Sequence, residues 1–142
     1  MSDRSVTSLA TTPSWQLLAA FLAHVIATLT HFVHNGIYLS DYPNLPSWFT
    51  AAGVYASWCA LTAVGLAGLA LLRYVSTRLG LGVLILYGIL GFGGLDHYTL
   101  ASIAAHTTVM NLTILCESIT GTLLLIAIVR EFIRFDRARN AA

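Results

Sequence analysis

Four long apolar runs divide the chain, at about residues 14–38, 48–72, 79–95 and 99–129. Each meets or approaches the roughly 20 residues an α-helix needs to cross the hydrocarbon of a bilayer. The stretches between them are short and polar. In LSDYPNLPS (39–47), Asp41, Asn44, Pro43 and Pro46 stop helices and make turns. Ser47 is then placed to cap the second run. Arg73, Ser76, Thr77 and Arg78 form the middle connection, and Asp96-His97-Tyr98 ends the third run. Short connections make successive helices antiparallel neighbours. The expected fold is an all-α integral membrane protein: one membrane domain over 1–142, with four transmembrane helices in an up-down-up-down antiparallel bundle.

Within these runs the polar residues lie on stripes. In HVIATLTHFVHNGIY, residues 24–38, a period of 3.6 places His24, Thr28, His31, Asn35 and Tyr38 in a narrow arc, with His34 at its edge. The fourth run carries a second stripe. Measured from His106, Thr113 and Glu117 lie about 20° to either side and Thr120 about 40° away, with Thr99 one heptad earlier and Met110 at the edge. Asn111 points elsewhere, toward a neighbour; its glycosylation sequon with Leu112 and Thr113 lies within a span and is disregarded. Glycines form packing seams rather than a pore: Gly80, Leu84, Tyr87, Gly91 and Gly94 share one face of the third run, as do Tyr55, Thr62, Gly65 and Leu69 of the second.

Composition agrees with a lipid environment. Charged residues are 9% of the chain and mean hydropathy is +0.78, against roughly 25% charged in soluble proteins. A net charge of +1 gives no reason to expect nucleic acid or an acidic substrate. All basic residues are arginines. The middle connection has Arg73 and Arg78, and the tail has Arg130, Arg134, Arg137 and Arg139, whereas the stretches 39–47 and 96–98 have none. Excess arginine marks the cytoplasmic side, so both termini are expected there, in a bacterial-type inner membrane. Trp15 and Tyr74 suit the inner interface, and Tyr38, Tyr42, Trp48 and Tyr98 the outer one. The length of the first run and its histidines point to a retained helix rather than a signal peptide. Cys59 and Cys116 form no C-x-x-C motif and read as small packing residues.

Ionisable groups in lipid-embedded helices are costly and usually face the protein interior or a wet cavity. If each run is centred in the bilayer, His31 and His34 lie about 8 and 12 Å outward, near the level of His106. His24 then lies near the level of Glu117, the one acid deep in a run. Three chemistries follow. His31, His34 and His106, completed by Asp96 or His97, could hold a metal ion, with Asn35, Thr28 and Thr113 orienting the imidazoles. His31 or His34 facing His106 could ligate a b-type haem. His24 and Glu117, as a deeper pair, could relay protons to the outer histidines. The competing expectation is an accessory or scaffold subunit whose stripes serve helix packing alone, as a homo-oligomer or within a larger membrane complex. No nucleotide-binding loop, serine triad or H-E-x-x-H motif is present.

Overall fold

The computed structural model describes residues 12–141; Arg4 lies outside them. The helices are α1 (Trp15–Ile37), α2 (Ala51–Tyr74), α3 (Thr77–Leu90), the single turn α4 (His97–Leu100) and α5 (Thr108–Asn140). No β-strand occurs among the described residues, and four stretches are long and apolar enough to cross a membrane. Three of these are α1, α2 and α5. The third, Thr77–Leu100, joins α3 to α4 through the 3-10 turn Gly93–Asp96.

Local chemistry sets the helix starts. Ser14, Thr50, Ser76 and Thr107 stand in extended backbone, and their hydroxyls accept from the amides of Leu17, Gly53, Leu79 and Met110. Each cap satisfies a backbone donor that the first turn leaves free. Thr50, not Ser47, caps α2, because the Phe49 amide bonds the Pro46 carbonyl at 3.0 Å and holds residues 46–49 in a turn.

The fourth span departs furthest from expectation. Residues 99–107 do not begin it: Ala101 N–H closes α4 on the His97 carbonyl, and Ile103–Ala105 form a separate 3-10 turn. His106 and Thr99 therefore lie before α5 and not on its polar face. The helix then runs on for 33 residues to Asn140. At 1.5 Å per residue that is about 50 Å, well beyond a hydrocarbon thickness of about 30 Å.

α1 packs against α2 and α5, and α3 packs against the same two helices. The helices carrying the two polar stripes are thus in direct contact. An apolar core that includes Leu17, Phe21, Leu72, Leu84, Leu124 and Ile128 fills one half of the interior. Glycine makes its seams possible. A Cβ on Gly68 would come 2.9 Å from Leu84 Cγ, and one on Gly88 would come 2.9 Å from Leu125 Cδ2, closer than side chains pack.

Two sets of contacts define the ends. At the loop end, Asn44 adopts φ 59°, which asparagine tolerates better than most residues. Its side chain donates to the Leu100 carbonyl at 2.9 Å, joining the two inter-helix loops. At the arginine end, Arg73 donates to Thr12 Oγ1 (3.3 Å) and Arg134 to the Thr12 carbonyl (2.8 Å). Arg78 pairs with Asp136 at 3.4 Å, and Arg134 also pairs with the buried Glu131.

Candidate functional site

Glu117, 1% exposed, lies at the centre of the polar interior. The imidazole that approaches it is that of His31, with Nε2 3.6 Å from Oε2. His24 sits two turns further toward the arginine end, with Nδ1 3.1 Å from Thr120 Oγ1. The expected levels are displaced because α5 starts later and ends later than its apolar run suggests, moving its midpoint along the chain.

The threonines determine which imidazole nitrogen carries hydrogen. Thr113 Oγ1 donates to the Met110 carbonyl at 3.0 Å, so toward His31 Nδ1, 3.3 Å away, it can only accept. Thr120 Oγ1 donates to the carbonyls of Cys116 (2.8 Å) and Glu117 (3.0 Å), so it likewise accepts from His24 Nδ1. With Nδ1–H committed, a neutral imidazole presents a bare Nε2 lone pair. His31 Nε2 faces Glu117, and His24 Nε2 is buried without a hydrogen-bond partner among the described residues. An ionised Glu117 beside a neutral His31 would set lone pair against lone pair. A single proton on either the carboxyl or Nε2 would remove that repulsion.

Two cavities meet at Glu117. The larger, about 450 Å³ and partly open, is lined by His31, Asn35, Asp96 and His97, with Phe32, Trp48 and Phe49 among its walls. The smaller, about 10 Å³, lies between Glu117, His24, Thr28, Trp58 and Tyr87, a volume suited to about one water molecule. The backbone at the end of the third span makes room for these side chains. A Cβ on Gly94 would lie 2.6 Å from Glu117 Oε2, and one on Gly91 would lie 2.6 Å from His24 Nε2. Trp58 Nε1 donates to Thr28 Oγ1 at 3.3 Å and ties α2 to the same centre.

The remaining histidines form an outer layer around Tyr42. The Tyr42 ring lies 4.7 Å from that of His97 and 6.4 Å from that of His106, and its hydroxyl is 2.9 Å from His34 Nδ1. Burial is the main cause that pushes this phenol up to about 12. His106 Nδ1 donates to the Ser102 carbonyl at 2.9 Å, and His97 Nε2 accepts from the Asn35 amide at 3.2 Å. Asn111 accepts from the Tyr98 hydroxyl at 2.8 Å and donates to the carbonyls of Ile103 and His106.

These partners decide the fit of a metal or haem. The expected ligands His31, His34, His97 and His106 each engage a different neighbour, and Asp96 stays exposed at the rim. Among the described residues no three His, Cys, Asp or Glu side chains form a group that could hold a metal ion. A haem needs a slot between opposed imidazoles. Here the His97 and His106 rings pack at 73° and 6.1 Å, and His31 contacts His97 at 72° and 5.6 Å. For a metal ion, the donors among the described residues thus assemble no ligating group. Cys59 and Cys116 are exposed rather than packed inside.

Tyr42, Trp58, Tyr87, Gly91 and Gly94 belong to the centre but carried no chemical signal in the sequence. Tyr42 looked like an interface aromatic, Trp58 like part of an apolar run, and the others like a seam. Comparison with known proteins gives no matching family model, no matching curated protein and no matching solved structure.

Proposed function

We propose that this is a polytopic membrane protein whose buried His/Asn/Glu centre takes up protons from the outer side and passes them inward along Glu117 and His24. The helices run up-down-up-down with both termini cytoplasmic, in an inner membrane of bacterial type. Supporting that orientation, both arginine-bearing segments gather near residue 12, and the arginine-free loops meet at the opposite end.

The observation that carries the proton reading is Glu117 Oε2. It is buried, has no hydrogen-bond partner among the described residues, and faces a bare imidazole nitrogen. Buried polar groups left in this condition are rare and mark strain or function. The large cavity connects the pair to the loop end, and the small one gives the carboxyl a second acceptor in His24 Nε2. Beyond His24 lies the apolar core, which offers no titratable group but the Tyr87 phenol. In this conformation the centre exchanges protons with one side only.

Infrared pH-difference spectra of the reconstituted protein test this reading. The wild type should show the C=O stretch of a titrating, deuterium-sensitive carboxyl group that is lost in Glu117→Gln. Identical spectra from the two proteins would reduce the stripes to helix packing.

A further inference from the structure

The large cavity has an imbalance of hydrogen-bonding groups that specifies its ligand. Two buried oxygens on its lining residues lack a hydrogen-bond partner among the described residues: Asn35 Oδ1 and Glu117 Oε2, in residues 7% and 1% exposed. The Asn35 amide hydrogens do not relieve this, because Nδ2 is turned to His97 Nε2. Asp96 adds a third acceptor at the exposed rim, and no arginine is among the described residues that line the cavity. The walls include the aromatic side chains of Phe32, Trp48 and Phe49. The occupant must supply N–H or O–H donors to oxygens, offset negative charge, and cover rings with an apolar body.

We infer that this cavity binds a small organic ammonium, a primary amine on an aromatic or compact alkyl body. An ammonium group carries three donors and no acceptor, matching the unsatisfied oxygens. The aromatic walls attract a cation through their ring faces. An anion would meet carboxylates and a carbonyl oxygen. A wholly apolar ligand would leave the buried Asn35 oxygen unpaired and bring no partner to Glu117 Oε2, which is costly. A volume of about 450 Å³ lies within the usual range for small-molecule sites.

This assignment rests on the proton reading for its exchange step. With the proton held between Glu117 and His31, an arriving R–NH₃⁺ forms an ammonium–carboxylate pair with Glu117. The displaced proton leaves through the cavity to the outer side. One positive charge enters and one leaves: the O–H or N–H bond that held the proton breaks, and water or buffer on the outer side takes the proton up.

The test uses the full chain in lipid nanodiscs with benzylammonium as probe, titrated calorimetrically against empty discs. Repeating the titration in buffers of different ionisation enthalpy counts protons released. Saturable binding is expected, with a proton released for each amine bound. Benzyl alcohol, which lacks the charge, and benzyltrimethylammonium, which lacks N–H donors, should both bind more weakly. Glu117→Gln should weaken benzylammonium binding roughly tenfold or more, the loss of a charge-assisted hydrogen bond. Gly94→Ala keeps the charge but sets a methyl group 2.6 Å from Oε2; it too should weaken binding, in protein whose thermal melt shows it folded. Absence of saturable binding, equal binding to the wild type and both variants, or tighter binding of benzyl alcohol would overturn the inference. If benzylammonium fails to bind while the Glu117 carboxyl band still titrates, the ligand assignment falls and the proton reading stands. If benzylammonium binds with the expected variant losses but no carboxyl titrates and no proton is released, the ammonium site stands and the proton reading falls.

Discussion

Thr113 and Thr120 decide what the central histidines can do. Each hydroxyl gives its hydrogen to its own helix backbone, and the oxygen that remains accepts from an imidazole on α1. That fixes both rings with Nε2 bare and pointed inward. Tyr42 has a comparable role in the outer layer, where its hydroxyl meets His34 and its ring packs on His97. Because burial pushes its phenol up to about 12, the folded protein keeps this proton where the unfolded chain, near the ordinary value of about 10, has lost it. The unfolded state then binds fewer protons, so stability falls as pH rises from about 10 to about 12. The loss attributable to Tyr42 is at most roughly 2–3 kcal/mol. In Tyr42→Phe that alkaline slope should flatten, while stability at neutral pH drops by about 1 kcal/mol with the lost hydrogen bond. Denaturant unfolding of both proteins in detergent at pH 8 to 12 measures this; parallel slopes would contradict it.

The end of the third span shows what could and could not be read from the sequence. Four apolar stretches, the polar arcs on α1 and α5, and the glycine face of α3 follow from periodicity, which the backbone geometry enforces. The depth of each group did not follow. Helix starts depend on caps and turns, and Thr107, a residue of no obvious distinction in SIAAHTTVM, begins α5 nine residues after its apolar run does. That shift removed His106 from the stripe and matched Glu117 with His31 in place of His24. The glycine face was legible as a packing seam, but not what packs on it: Gly91 and Gly94 receive polar side chains, whereas Gly68 and Gly80 receive Leu84 and Leu72. Periodicity reports which face is small, not which neighbour fills it. Gly91→Ala should therefore act on chemistry as well as packing. Its Cβ would meet the His24 ring, so overpacking should cost about 1–3 kcal/mol, and the His24 ring resonances should shift. Gly82, where a Cβ meets nothing within 4 Å, supplies the control: in the interior of α3, Gly82→Ala should raise stability by up to about 1 kcal/mol and leave His24 unchanged. Equal effects at the two positions would show that the His24 environment does not depend on Gly91.

Taken as one object, the protein has a polar half and a largely apolar half. The cavity, the histidines and the arginine-free loops occupy one end; the apolar core and the arginine contacts occupy the other. On the proposed proton reading, the side from which the centre takes up protons depends on which end faces the cytoplasm. Arginine placement argues that the loop end is outside, and the force of that bias is greatest for short connections such as residues 38–50 and 75–76. Site-directed labelling checks it. With Cys59 and Cys116 replaced by alanine, both being exposed on membrane-spanning helices, a single cysteine is placed at Ser40 in one protein and at Arg137 in another. Both positions are exposed in the structure. A membrane-impermeant maleimide applied to intact cells should label Ser40→Cys and spare Arg137→Cys until the membrane is permeabilised. The opposite pattern would turn the cavity toward the cytoplasm, and protons or amines would then reach Glu117 from inside. Labelling of both positions in intact cells would mean dual insertion. A strong arginine asymmetry disfavours that outcome, because inverting the chain requires moving six arginines of the middle connection and tail across the bilayer.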